Sequence, residues 1–555
     1  MRIVPLWRVF LLALLFTGCA TPTMPIPSTT TPKATILPDR PFASMTTEQK
    51  VGQLMIIGFD GTTVDADLRG MIADYHIGGV ILFARNVQSP EQVARLTNEL
   101  QKIALESGHP GLFIAIDQEG GRVARLTEEK GFTEFPSAMA LTATGDPENA
   151  RRMAAAMAAE IRAVGINVNF APDLDVNNNP SNPVIGTRSF SSDPVKVAEY
   201  GLAFAQGLQE NGVLAFGKHF PGHGDTGVDS HIDLPLVPHD RARLDEVELF
   251  PFRAAIQADF AGIISAHVTF PAIEPTPELA ATLSRPVLTG LLRDELGHDG
   301  LIATDSLEMG ALAAHGYPPP VAAALAFAAG ADLLLFNRDH AMHREAFTNL
   351  LQTIEDSKVS QEQLNASVRR IVEAKRKFNI LYPALIDEPV KAGESTATAE
   401  HHVLALELAR KAITLLKDDA SLLPLKLGEP LLVIETAGAK GLGTLLGATT
   451  FEINNDPEAD AINAAASKTS DQLKVIVATT DANLYPSQVK LVTQLLRKTP
   501  NIIIVSVRTP YDISVLPRVP TALAAYGGNP PTLQAIADVL MGKVEASGIL
   551  PVTLP

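Results

Sequence analysis

The residues of this chain that could do nucleophilic or acid–base chemistry collect in a few short stretches. The densest is Lys218-His219-Phe220-Pro221-Gly222-His223-Gly224-Asp225-Thr226-Gly227-Val228-Asp229-Ser230-His231. It holds three histidines and two aspartates in fourteen residues, against thirteen histidines in all 555. Its glycines and proline mark a loop whose backbone can bend towards a ligand. Two chemistries suit it. One is a metal site, because imidazole and carboxylate are good ligands for zinc and similar ions. The other is an acid/base pair in which Asp229 orients His231 and stabilises its cationic form. Gly-His-Gly in a loop is a weak match to ligand spacings on helices, and on the residues alone both readings stay open.

Two further stretches have the same character. Asp305 closes the apolar run of Leu301-Ile-Ala-Thr-Asp-Ser-Leu-Glu-Met-Gly310. A carboxylate there is costly to desolvate unless it has donors or chemistry to do, as nucleophile, base or ligand. In Asp117-Gln-Glu-Gly-Gly-Arg122-Val-Ala-Arg125 a carboxylate is followed by two glycines and by cations able to hydrogen-bond a hydroxyl-rich ligand. The glycines lack the spacing of a dinucleotide or phosphate loop.

These residues must be positioned by the elements around them. Eight short β-rich runs alternate with helical stretches: Gln53–Phe59, Gly79–Phe83, Leu112–Asp117, Asn167–Pro172, Leu214–Phe220, Gly262–His267, Leu301–Asp305 and Ala331–Phe336. Asn149–Val164 and Pro194–Asn211 are examples of the helices between them. Near-continuous apolar strands alternating with helices predict a parallel sheet covered on both faces, and eight units in about 300 residues fit a (β/α)8 barrel. Asp117 ends the third run, Asp173 and Asp175 follow the fourth, and Lys218 and His219 end the fifth. His267 ends the sixth, Asp305 the seventh, and Asn337 and Arg338 follow the eighth. In such a barrel the strand C-termini meet at one mouth. A helix cap or a loop ion pair would account for one of these groups but not for the ring.

After Leu381 the pattern changes. A polar linker is expected over 386–400, then a helix around 401–416. Apolar runs follow at Leu431–Ile434, Leu473–Ala478, Ile502–Val507 and Thr521–Tyr526, separated by helical Pro486–Lys498 and Pro531–Met541. This predicts a smaller α/β (αβα) sandwich over 401–555, behind a barrel domain over 42–385. The second domain shows no acid or base as clearly placed as those in the barrel.

Net charge is −17 with no basic run, which excludes nucleic acid as a partner. A single cysteine excludes internal disulfides and Cys-based metal clusters. That cysteine, Cys19, follows Arg2, Arg8, an apolar run over 9–16, Thr17 and Gly18. The arrangement reads as a signal peptide over 1–19, too short to span a bilayer. It resembles a bacterial lipoprotein signal, which implies acylation of Cys19 and an exported chain held to the membrane by lipid alone. The Thr/Pro-rich stretch 20–41 reads as an extended tether.

Four stretches together resemble glycoside hydrolase family 3, in its β-N-acetylhexosaminidase branch: IDQEGGRVAR from Ile116, GTRSF from Gly186, KHFPGHGDTGVDSH from Lys218 and IATDSLEMG from Ile302. SGILPVTLP at the chain's end is similar to the close of the second domain in two-domain members. The resemblance implies Asp305 as catalytic nucleophile, His231 as general acid/base and Asp229 as the group that orients and tunes it. It implies Asp117, Arg125, Arg188, Lys218 and His219 as substrate-binding, no metal and no cofactor. His223 and Asp225 have no catalytic counterpart and read as loop-shaping residues. The activity implied is retaining, exo-acting removal of β-linked N-acetylglucosamine from cell-wall or chitin-derived oligosaccharides. Other readings are a β-N-acetylglucosaminide phosphorylase, a β-glucosidase of the same family, a metallohydrolase and a non-catalytic glycan-binding lipoprotein. Compact members of the branch consist of the barrel alone, so the second domain and export signal imply a setting outside the cytoplasm.

Overall fold

The computed structural model describes residues 44–229, 233–426 and 428–555. The expected signal, Cys19, the tether and His231 lie outside the described residues. Among those described, no helix is long and apolar enough to cross a membrane.

Eight parallel strands form the first domain: β1 (Met55–Ile57), β2 (Gly79–Leu82), β3 (Phe113–Ile116), β4 (Val168–Asn169), β5 (Leu214–Phe220), β6 (Gly262–Ser265), β7 (Leu301–Thr304) and β8 (Leu334–Phe336). Their order is β7-β6-β5-β4-β3-β2-β1-β8. A bridge from Ala303 to Leu333 joins the two ends and closes the barrel. The described residues of every strand are buried, which is why the runs read as continuously apolar rather than alternating. Helices such as Glu148–Ala163 and Pro194–Gln209 cover the outside.

Most strands are shorter than expected by one to four residues, β1 and β4 among them. Gln53 belongs not to β1 but to the end of helix Thr47–Gln53, which starts on a capping box between Thr46 and Gln49. β4 is two residues long, ending at Asn169. The chain nevertheless continues beside β5: Phe216 N–H donates to Ala171 O at 3.0 Å and Lys218 N–H to Pro172 O at 3.2 Å.

The second domain is a six-stranded sheet of order β11-β10-β12-β13-β14-β9. Its strands are β9 (Thr414–Asp418), β10 (Leu431–Glu435), β11 (Thr449–Glu452), β12 (Lys474–Thr479), β13 (Ile502–Ser506) and β14 (Thr521–Ala524). All neighbours run parallel except β9, which pairs antiparallel with β14. Here the sequence reading needs correction. The helix expected to reach Leu416 stops at Ala412, and Thr414–Asp418 turns to extend the sheet edge. Leu415 and Leu416 are good helix formers, so pairing with β14 overrides local preference.

The two domains share an interface. Met139, Ala140 and Ala143 of the barrel pack with Ala412, Tyr511, Tyr526 and Val552. The C-terminal tail lies on the barrel: Ile549 N–H donates to Ala143 O at 2.8 Å, and Ser191 Oγ donates to Pro551 O at 2.5 Å.

Lys375 is fully buried in the barrel domain. Its Nζ donates to Gln53 Oε1 at 2.8 Å and lies 5.0 Å from the Phe113 ring centre, with no carboxylate beside it among the described residues. Burial pulls its pKa from 10.5 down to about 7. Between these values the unfolded chain binds the proton and the folded chain does not, so folding stability rises with pH across that window. Lys375→Met is therefore expected to raise the unfolding midpoint at pH 7 and to remove a rise of a few kcal/mol between pH 7 and 10. Parallel stability–pH curves for the two proteins, measured by urea unfolding, would contradict this.

Candidate active site

At the C-terminal mouth of the barrel lies a cavity of about 290 Å³ lined by Asp117, Arg125, Lys218, His219 and Asp305, with Glu308 at its side. The barrel thus brings five of the expected site residues to one cavity. Arg188, from the loop after β4, stands next to it: its Nη2 donates to His219 Nε2 at 3.3 Å. Asp229 is described and half-buried on the loop after β5.

Asp305 follows β7 directly. Burial acts to raise its pKa, but His219, His267, the Ser306 N–H at 2.7 Å and Lys218 outweigh this and hold the carboxyl below its ordinary range. It is therefore an ionised carboxylate at neutral pH, set at the edge of an enclosed cavity. His267, two residues past the end of β6, acts on it and is fixed by Thr282 Oγ1 at 2.9 Å and by Ser306 O at 2.9 Å.

Under the cavity floor sits a buried charge network. Lys218 Nζ lies 2.8 Å from Asp117 Oδ1 and 2.6 Å from Glu119 Oε1. Glu119 in turn takes two hydrogen bonds from Arg188, both at 2.9 Å. This bidentate pair is the strong form of the interaction. Burial would raise Glu119, yet Arg188 and Lys218 push it far below the usual carboxylate range. Burial would lower the two cations, and the carboxylates around them push both upward instead. Arg125 reaches Asp117 only at 3.7 Å, and its buried Nε has no hydrogen-bond partner among the described residues.

His219 is neutral and its tautomer is fixed by its neighbours. Burial, then Arg188, lower its pKa to about 4. Its Nδ1 donates to Asp175 Oδ2 at 2.6 Å, which leaves Nε2 to accept from Arg188. Asp175 is further tied to His223 N–H at 2.5 Å. Burial and Asp175 together push the Asp173 carboxyl upward, against the pull of Arg188 3.5 Å away. Asp173, Asp175 and His219 place one ligand atom each within 4.8 Å of one another. Two of those three groups are already committed to each other and to backbone N–H donors.

The loop after β5 lies against the β4 loop. A Cβ at Gly224 would sit 1.8 Å from Val176 O, so only glycine permits that approach. His223 beside it is buried, with Nδ1 2.8 Å from Thr226 Oγ1, and burial lowers its pKa to about 4.

From the sequence, Asp173 and Asp175 are expected at the mouth but without an individual role, and Glu119 and Glu308 are not singled out. Glu119 sits in the quoted stretch after Asp117, but nothing in its spacing tells that it faces inward between two cations. Glu308 accepts from Asn337 N–H at 2.7 Å and from His343 Nε2 at 2.7 Å, tying the loop after β7 to the end of β8. The second domain also reaches the rim. Arg508 pairs with Asp481 at 2.5 Å, and Thr509 Cγ2 lies 3.3 Å from where a Gly186 Cβ would be, two residues before Arg188. Burial, then Arg508 and Arg188, lower Arg122 to about 10.

Comparison with known proteins gives a consistent result. Residues 46–374 match the glycosyl hydrolase family 3 N-terminal domain and residues 413–555 its C-terminal domain. The chain is similar to beta-hexosaminidase A of Pseudoalteromonas piscicida, 35% identical over 92% of this chain and 97% of that protein. It is 39% identical to a beta-hexosaminidase of Alkalilimnicola ehrlichii over 55% of this chain and 85% of that one. Among solved structures it resembles a glycoside hydrolase family 3 beta-N-acetylglucosaminidase from Paenibacillus sp. FPU-7. The TM-score is 0.86 at 41% identity, over 92% of this chain and 99% of that one.

The network predicts its own sensitivity. Glu119→Ala leaves Arg188 and Lys218 buried without their shared carboxylate, and is expected to cost about 3 kcal/mol or more of folding stability, read from the urea midpoint. A change below about 1 kcal/mol would show that the network does not hold the rim.

Proposed function

This chain belongs to glycosyl hydrolase family 3, and from that premise we propose that it is a retaining, exo-acting β-N-acetylhexosaminidase that removes terminal β-linked N-acetylglucosamine from oligosaccharides. One observation carries the reading: an ionised Asp305 at the edge of a cavity that also presents Asp117, Lys218, His219 and Arg125.

Retention requires a carboxylate below the anomeric carbon and an acid above the leaving oxygen, with an oxocarbenium-like transition state between them. Asp305 supplies the carboxylate. Its oxygen forms a bond to the anomeric carbon as the glycosidic bond breaks, and water later displaces it. Neighbouring donors keep it ionised, and therefore nucleophilic, despite its enclosure. Asp117 accepts from sugar hydroxyls, while the Arg125 guanidinium, which lines the cavity, donates to them. Contacts of this kind hold the ring and can strengthen as it distorts. His219 acts as a neutral acceptor, with its orientation fixed by Asp175.

Protonation of the leaving oxygen falls to His231 with Asp229 behind it, as the family motif implies. An imidazole of ordinary pKa about 6.5 gives and takes a proton readily near neutral pH. The proposed setting is outside the cytoplasm, with the chain tethered through acylated Cys19 and meeting cell-wall or chitin fragments there. Loss of palmitate labelling in Cys19→Ser would support the anchor, and unchanged labelling would reject it.

The catalytic assignment is tested with aryl β-N-acetylglucosaminides. Asp305→Ala is expected to lower kcat by ~10³-fold or more on all of them. His231→Ala should cost ~10²-fold on poor leaving groups and little on dinitrophenol, because only poor leaving groups need the proton. Turnover by Asp305→Ala near the parent rate would remove Asp305 from the mechanism. Release of sugar 1-phosphate rather than free sugar at millimolar phosphate would replace hydrolysis by phosphorolysis.

A further inference from the structure

Behind the loop that follows β5, and apart from the cavity, three side chains converge without a role in the reaction above. Asp225 lies near the start of that loop, His239 lies after it, and Glu248 stands just before helix Phe250–Gln257. His239 Nε2 is 2.7 Å from Asp225 Oδ2. One ligand atom from each of the three lies within 4.8 Å of the other two.

Glu248 distinguishes this cluster from an ordinary surface ion pair. It is 2% exposed, whereas Asp225 and His239 are half-buried. Its Oε1 accepts from Asn178 Nδ2 at 3.2 Å and Arg243 Nη2 at 3.1 Å. Its Oε2 is buried with no hydrogen-bond partner among the described residues. Arg243 already meets the carboxylate through Oε1, but a buried oxygen left bare as Oε2 is remains costly until a second positive group or donor meets it. The backbone is shaped to admit it: Gly222 has φ 142°, and a Cβ there would come within 2.9 Å of Glu248 Cβ.

We propose that Asp225, His239 and Glu248 form a divalent metal site of the zinc class, separate from the catalytic cavity. One imidazole and two carboxylates suit a borderline ion better than calcium or magnesium, which take oxygen ligands in larger number. Three protein ligands and a water complete a tetrahedral shell at about 2.0–2.2 Å from the ion. The donors of such a shell stand ~3.4 Å apart, so Asp225 and His239, now 2.7 Å apart, open slightly while the pair and Glu248, within 4.8 Å, draw together. The half-buried Asp225 and His239 are the two with room to do so. Arg243 stays on Oε1, and the ion takes Oε2. Bound there, the ion joins residues 225 and 239 and stabilises the fold by mass action.

The test is zinc binding to the chelator-stripped full-length chain, followed by calorimetry and thermal unfolding, with elemental analysis after desalting. The expected result is one Zn²⁺ per chain at ~10 µM or below, with a rise in Tm of several degrees. His239→Ala, Asp225→Asn and Glu248→Gln should each weaken binding by ~10-fold or more and lose the rise in Tm. The two amide variants preserve shape, and the circular dichroism spectrum shows whether each has folded. No binding at ~100 µM Zn²⁺ would overturn the proposal. So would equal binding in folded variants, which would put the ion elsewhere, for instance at Asp173, Asp175 and His219.

Discussion

Lys218 keeps an ammonium group buried between two carboxylates, and the catalytic floor follows from that placement. Its charge is shared by Asp117 towards the cavity and by Glu119 towards Arg188. Burying any one of these ions alone would cost several kcal/mol. Together they are mutually neutralising and rigid, and they fix the height and direction of the groups that face the ligand. Asp305 stands over the same floor: His219 and His267, then the Ser306 N–H and Lys218, hold it below its ordinary range.

Strand ends alone do not make this site. His219 is held by Asp175, Asp175 also by His223, and Glu119 by Arg188. The loops after β3, β4 and β5 are therefore locked to one another beneath the cavity. Glu308 does the same for the loops after β7 and β8. The second domain adds to this from outside: Thr509, which donates to Asp481, packs against the loop that carries Arg188, and Arg508 pairs with the same Asp481. It contributes charge and packing to the rim, and its own sheet carries two separate apolar layers.

Much of this was legible in the sequence because barrel strands are buried on both faces. Their apolar runs stand out, and a charged residue at the end of such a run has few structural reasons to be there. Asp117, Lys218, His219 and Asp305 could be picked out in this way. Glu119 and Glu308 could not, since their importance lies in partners 99 and 35 residues away along the chain. β9 and β11 were missed for a different reason. Both are edge strands, Leu415 in β9 is 42% exposed, and most of β11 is exposed, so neither shows a continuous apolar run. The role proposed for His231 rests on residue types and the family motif, since that residue lies outside the described ones.

The central claim is that Asp305 becomes covalently bonded to the sugar during turnover. The direct measurement is mass spectrometry of the chain after reaction with a fluorinated N-acetylglucosaminyl fluoride, which slows release of the intermediate. The account predicts one added sugar per chain, located on the peptide that contains Asp305. Turnover with inversion at the anomeric carbon, and no sugar on that peptide, would contradict it.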